Sequence, residues 1–176
     1  MSGRYKIFIT LIALFMGQFL FAANNIWLTD LETAKKQSAQ KQLPILANFT
    51  GSDWCPYCIK QQNEVFSKQE FIKFAKDNFI LLEVDFPEKS KLTPQLAAQN
   101  HSLAEKYKIK AFPVVVFFDE EGKFILKTGY RAGGCKSYIS FLKIVKKLAK
   151  IYSAEASLKV NKYVQGCALK KSACSK

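Results

Sequence analysis

Two cysteines separated by two residues, Cys55-Pro56-Tyr57-Cys58, are the part of this 176-residue chain best suited to chemistry. The thiolate is the reactive form of cysteine, and unpaired backbone N–H groups and the helix dipole favour it at a helix N-terminus. An apolar run, Ile45 to Phe49, precedes the pair and reads as a buried strand, while Ile59 to Phe66 reads as the opening of a helix. Cys55 therefore falls where strand gives way to helix. Pro56 suits the first helical turn, where its missing N–H has no partner to lose. Cys58 follows by three positions, close enough on a helix for the two sulfurs to close a small ring. The pattern points to thiol–disulfide exchange. Cys55 would attack a disulfide, and Cys58, one turn on and expected to be the more buried, would resolve the mixed disulfide.

The flanking elements have to hold that junction. Thr29 and Glu32 form a capping box, with Leu28 as a staple, for a helix to about Lys41 that stops before Pro44. Trp27 is expected to pack beneath it. Beyond the dithiol the helix should break near Val65-Phe66, where Ser67 and Glu70 form a second capping box and Phe71, Phe74 and Ala75 give one apolar face. Phe79–Asp85 reads as a strand, parallel to the first because a helix joins them. A polar loop, Phe86–Leu92, leads to a helix capped by Thr93 with Pro94 in its first turn. That helix continues to Tyr107, with Asn100-His101-Ser102 as a candidate interruption. Pro113 introduces the apolar run Val114–Phe118; Asp119–Lys123 is a hairpin turn with glycine, and Phe124–Lys127 returns. Ser137 is the expected cap of a last amphipathic helix carrying Ile139, Leu142, Val145, Leu148 and Tyr152 on its apolar face. Its lysines lie opposite, as a solvated face.

The N-terminus reads as an address. Arg4 and Lys6 precede an apolar stretch from Ile7 to Phe21, and Ala22-Ala23 offers small residues for cleavage. Residues 1–23 are thus expected to be a signal peptide, 24–153 the folded domain and 154–176 a polar tail. An uncleaved anchor is the alternative, although Gly17 and Gln18 interrupt the run before it reaches a full span. Either way the domain is exported, where disulfides persist. The net charge is +13, but the lysines are scattered and no nucleic-acid motif accompanies them, so nucleic acid is not an expected partner.

The residues Trp54-Cys55-Pro56-Tyr57-Cys58, Phe112-Pro113 before a strand, and the Asp-Glu-Glu-Gly-Lys turn occur in an order that resembles the thioredoxin superfamily. The likeness covers about 28–152 and is greatest to exported members: the DsbH-type periplasmic oxidoreductases and the C-terminal domain of DsbD. It implies an α/β thioredoxin fold, a central mixed sheet flanked by helices on both faces. It also implies that Pro113 is cis and lies against the dithiol, that the Phe112 backbone pairs with an extended substrate, and that Trp54 shields Cys55. Tyr57, an amphipathic ring, is expected at the exposed rim, where it can meet substrate. Thioredoxins usually carry a buried aspartate in the strand before the dithiol; allowing one extra residue in Thr50–Asp53, that position falls on Asn48. An amide cannot take the proton of the second cysteine. Glu83 and Lys60 are candidate assistants, read more simply as surface residues.

The redox centre is the cysteine pair itself, and no metal or other cofactor is expected, since zinc sites usually show a second close cysteine pair. Pro56 and Tyr57 border the Cys55 thiolate and tune it. Dithiols of this kind span roughly −270 to −120 mV. The Pro-Tyr pair matches glutaredoxins of intermediate potential, and the span from Cys58 to Pro113 lacks room for the helical insertion of a dedicated oxidant such as DsbA. The expectation is therefore a reductase of protein disulfides, a monomer reset by an electron donor such as a DsbD-like membrane reductase. A disulfide isomerase and a non-catalytic binding or chaperone module remain as alternatives. Cys167 and Cys174 are placed to pair across the tail, leaving Cys135 as a buried thiol or the partner of another chain. His101, the one histidine, sits in a polar helical region and is not read as catalytic.

Overall fold

The computed structural model describes residues 26–152. The signal-peptide and tail readings, with Cys167 and Cys174, lie outside the described residues. Five strands form one mixed sheet in the order β1-β3-β2-β4-β5, comprising β1 (Trp27–Leu28), β2 (Ile45–Thr50), β3 (Ile80–Asp85), β4 (Val114–Phe118) and β5 (Phe124–Thr128). Strand β3 runs parallel to both β1 and β2, while β4 is antiparallel to β2 and β5 to β4. The parallel pairing of β2 with β3 is the one the intervening helix requires.

Helices cover both faces. Alternation along β2 sends Ile45, Ala47 and Phe49 to one side, where they meet Ala34 of α1 (Leu31–Lys41) and Leu103 of α4 (Pro94–Lys106). Leu46 points the other way, into a cluster with Val65, Phe66, Phe71, Tyr138 and Leu142. That second layer is built from α2 (Pro56–Gln61), a π-helical turn (Gln62–Phe66), α3 (Gln69–Lys76) and α5 (134–152). Each fully buried large apolar side chain contributes about 1.5–3 kcal/mol, so the two clusters hold the sheet from both sides.

Several local expectations are corrected. Residues 27–28 form a strand rather than part of a helix start, and Trp27 packs on Phe66 and Phe71, not beneath α1. The cap of α1 is Asp30, whose carboxylate accepts from the Thr33 N–H at 2.7 Å; Thr29 stands one residue too early. Ser67 does not cap α3. Its hydroxyl donates back to the Asn63 carbonyl, because the π-turn carries the helix through to Phe66. Helix α4 is unbroken at Asn100-His101-Ser102. Asn100 turns inward and donates to the Asp85 carbonyl at 2.8 Å, so its polarity is used in the core rather than in a break. Helix α5 starts at residue 134, before Ser137, and its buried stripe is Tyr138, Leu142, Val145 and Ala149, with Tyr152 exposed. The turn after β4 matches expectation: Asp119 accepts from Glu121 and Lys123, and Gly122 takes the left-handed φ of +80° that a side chain would strain.

Candidate active site

Cys55 is the N-cap of α2, with extended backbone, and Pro56 occupies the first turn. The two cysteines form a disulfide with Cα atoms 5.2 Å apart. The Cys58 N–H donates to Cys55 Sγ at 3.3 Å, so one of the helix's free N–H groups is aimed at the first sulfur. The Gly51 N–H donates to Cys58 Sγ at 3.5 Å. Both sulfurs therefore sit among backbone donors, which favours negative charge on either when the bond opens. The expected difference in burial between them is absent: Cys55 and Cys58 are each 4% exposed in this oxidised state. Cys55 Sγ is bonded to Cys58 Sγ and lies against the Cys58 N–H, so its position as helix cap does not expose it.

Pro113 follows a cis peptide bond after Phe112, at the start of β4, and is itself buried. Phe112 is half-buried and meets Trp54 edge-on, centroids 5.9 Å apart, and Phe86 at 5.0 Å. Trp54 is 38% exposed, and its Nε1–H donates to the Phe86 carbonyl at 2.7 Å. A Cβ at Gly51 would overlap the indole ring, so glycine is required there for the ring to fold back on the loop. Tyr57 is 59% exposed and packs against Tyr130 with centroids 5.5 Å apart. Trp54 and Tyr57, the residues on either side of the Cys55-Pro56 step, thus open two aromatic clusters at the surface.

Two features of this rim escaped the sequence reading. Tyr130 donates to Glu64 Oε2 at 2.7 Å, which pushes its phenol pKa up, and Lys60 lies 5.5 Å over its ring. Asp53, Ser52 and Trp54 are all hydrogen-bonded to residues 85–90. Neither set has a periodic signal; the partners are joined across 32 to 66 positions of sequence.

In the strand that leads to the dithiol, Asn48 is buried and Oδ1 has no hydrogen-bond partner among the described residues. The register places Glu83 of β3 beside it, on the same face of the sheet. Glu83 is thus not simply a surface residue: it is half-buried, and burial first, then the charge of Asp85, hold its carboxyl above the usual range. Lys60 is a surface residue as read, 3.9 Å from Glu64. Gln61, three residues after Cys58, is buried and neither of its amide atoms has a hydrogen-bond partner among the described residues. Cys135 is half-buried in the first turn of α5, and burial pushes its thiol pKa up, with the Glu70 charge adding to it. His101 is exposed and edge-on to Phe86.

A dithiol at a helix start after a buried strand, with a cis-proline before a neighbouring strand, is the arrangement of the thioredoxin-like proteins. The family model described as a thioredoxin-like domain matches residues 31–134, and the chain belongs to that family. It is 40% identical over 127 residues to the disulfide bond reductase DsbH of Chlamydia pneumoniae, covering 72% of this chain and 76% of that protein. A solved structure of a DsbH oxidoreductase is 38% identical and superposes with a TM-score of 0.64, over 70% of this chain and 83% of that one. A thioredoxin from Thermus thermophilus shares the fold at 15% identity, with a TM-score of 0.52 over 68% of this chain and 85% of its own. With its Cys55–Cys58 disulfide in this setting, the protein is a thiol–disulfide oxidoreductase of the DsbH type.

Proposed function

We propose that the protein reduces disulfides in extended protein segments outside the cytosol. The observation carrying this reading is the Cys55–Cys58 disulfide at the start of α2, combined with 40% identity to a disulfide bond reductase. Once a donor has reduced the pair, Cys55 thiolate attacks one sulfur of the substrate disulfide and the other leaves as a thiolate that takes up a proton. Cys58 loses its proton and attacks Cys55 Sγ. The substrate's second sulfur departs with the electron pair, and the Cys55–Cys58 bond re-forms. Two electrons and the Cys58 proton have passed from the enzyme, and a second proton from solvent completes the substrate dithiol.

Phe112, just before the cis bond, offers its backbone to the substrate strand, with Pro113 shaping the bend. Trp54 and Tyr57 line the rim and meet the substrate's side chains. Pro56 occupies the helix turn next to the thiolate and tunes it. Asn48 cannot accept the Cys58 proton, and Glu83 is the carboxyl group that strand register sets beside that amide. The folded unit spans 24–153 behind a signal peptide of residues 1–23, with 154–176 as a tail, and it works as a monomer beyond the inner membrane. Its electron donor is a membrane reductase of the DsbD kind.

Insulin reduction by the full chain tests the activity. Cys55→Ser should lower the rate by at least about a thousandfold, the scale of losing a nucleophile. Cys58→Ser should instead accumulate a mixed disulfide with substrate, visible by mass spectrometry. Equilibration with glutathione buffers tests the direction: a potential near the −120 mV of DsbA would overturn the assignment as reductase.

A further inference from the structure

The residues immediately before the dithiol are tied to a distant loop with unusual density. Asp53 Oδ1 accepts from the Glu88 N–H at 2.9 Å, and Oδ2 accepts from Lys89 at 2.8 Å and Ser90 at 3.2 Å. On one side of it, the Ser52 N–H and hydroxyl donate to the two carboxylate oxygens of Asp85, at 2.9 and 2.6 Å. On the other, Trp54 Nε1–H donates to the Phe86 carbonyl. Three consecutive residues of the active-site loop thus bind 85–90, and the central one does so with a carboxylate. Hydrogen bonds to a charged acceptor are about twice as strong as neutral ones. The three N–H groups, led by that of Glu88, hold the Asp53 pKa below the usual carboxylate range, the sign expected of an anion that organises a turn.

What this tie holds up is the Trp54 ring. The indole has the Gly51 backbone behind it, the Phe86 carbonyl at its nitrogen and the Phe112 ring at its side. Phe86 in turn packs on Phe112. If the segment at 86–90 moves, the Trp54 anchor and the ring beside Phe112 move with it. None of the hydrogen bonds of Asp53 reaches a sulfur.

We propose that Asp53 is a positioning residue: it pins the loop at 86–90 so that Trp54, Phe86 and Phe112 stand as one aromatic wall beside the dithiol and Pro113, against which extended protein substrates bind. This rests on the reading of the protein as a reductase of protein disulfides. The wall serves substrates that extend past the disulfide. A small disulfide that reaches only the sulfurs does not need it.

Steady-state reduction of insulin and of hydroxyethyl disulfide by the wild-type chain, Asp53→Ala, Asp53→Asn and Trp54→Phe tests the proposal. Asp53→Ala should raise KM for insulin about tenfold, equivalent to about 1.4 kcal/mol of binding, with kcat changed less than about twofold. Its hydroxyethyl disulfide kinetics and its equilibrium with glutathione should match wild type. Asp53→Asn should fall between, because one of the two accepting oxygens survives. Trp54→Phe, which loses only the bond to Phe86 and part of the ring, should raise the insulin KM in the same direction. A wild-type insulin KM in Asp53→Ala, or an equal loss on both substrates, overturns the proposal. If Asp53→Ala shows no cooperative unfolding, Trp54→Phe decides: an unchanged insulin KM there overturns it equally. If the wild type itself reduces hydroxyethyl disulfide but not insulin, the reading as a protein reductase has failed instead.

Discussion

The two faces of the sheet bury polar groups to different degrees. Under α1 and α4 the buried hydroxyl and amide are bonded: Ser38 donates to the Leu43 carbonyl at 2.6 Å and Asn100 to the Asp85 carbonyl at 2.8 Å, while Glu120 Oε2, in the turn next to Ser38, is the one buried side-chain atom there with no hydrogen-bond partner among the described residues. Under the dithiol helix and α5, Asn48 Oδ1, both amide atoms of Gln61 and the Tyr138 hydroxyl have no hydrogen-bond partner among the described residues. A buried polar group without a partner costs about 1–3 kcal/mol. The first face therefore carries less of that penalty. The second carries more of it, and two of its unpaired residues belong to the elements that hold the dithiol: Gln61 follows Cys58 by three positions, and Asn48 lies in the strand that leads to the pair. When the disulfide opens, charge and protons have to be accommodated on that side, and uncommitted dipoles can turn towards them. The difference separates scaffold from working surface within one small domain.

The largest expected effect checks the scaffold half of that contrast. Leu82→Ala, at a fully buried position under α1 and α4, should cost about 2–5 kcal/mol in denaturant unfolding. The rate of insulin reduction per folded molecule should stay at wild type. A fall in that rate would mean the two faces are not separable. A paired amide substitution sharpens the contrast at smaller scale. Asn100→Leu takes away a bonded donor and should lose about 1–3 kcal/mol, whereas Gln61→Leu removes two unpaired atoms and should be neutral or stabilising by up to about 1 kcal/mol. Gln61→Leu should also slow release of the mixed disulfide, since a less polar neighbour disfavours the Cys58 thiolate. Equal destabilisation by the two substitutions would break the comparison.

How far the sequence carried these features depended on whether they were local. The dithiol, its strand and its helix were legible because Cys55-Pro56 is at once a cap and a first turn, and Ile45–Phe49 is a buried run of ordinary length. The cis bond before Pro113 was legible only through the resemblance, since spacing alone does not distinguish it from a trans proline at a strand start. Strand β1 was missed because two residues cannot show alternation. The stripe of α5 was misplaced because apolar residues at 138, 139, 141, 142, 144, 145, 148 and 149 fit more than one face, and a tyrosine, Tyr138, proved to be the buried anchor. Asp53 and Tyr130 gave no signal. Their partners, Glu88 and Glu64, are brought to them only by the folded sheet, and a single aspartate before Trp54 reads as loop polarity.

The smallest effect concerns Glu83, the carboxyl on the working face beside Asn48. Burial and the nearby Asp85 charge raise its pKa in the folded protein, so folding favours its neutral form. That stabilising preference is fully present below the unfolded value of about 4.3 and is lost as pH rises through the higher folded value. Glu83→Gln is neutral at every pH. The variant should therefore unfold with wild type at about pH 4 and become the more stable of the two as pH approaches neutrality, measured as a Tm difference across that range. The contrast with Asp53 fixes the sign: its lowered pKa contributes stability above the ordinary carboxylate value, and that contribution disappears as pH falls through the folded one. Asp53→Asn should accordingly be the less stable protein at neutral pH and converge on wild type in acid. A Glu83→Gln difference that is independent of pH, or that favours wild type at neutrality, would show that this carboxylate is compensated by a partner and does not belong with the unpaired groups on its face.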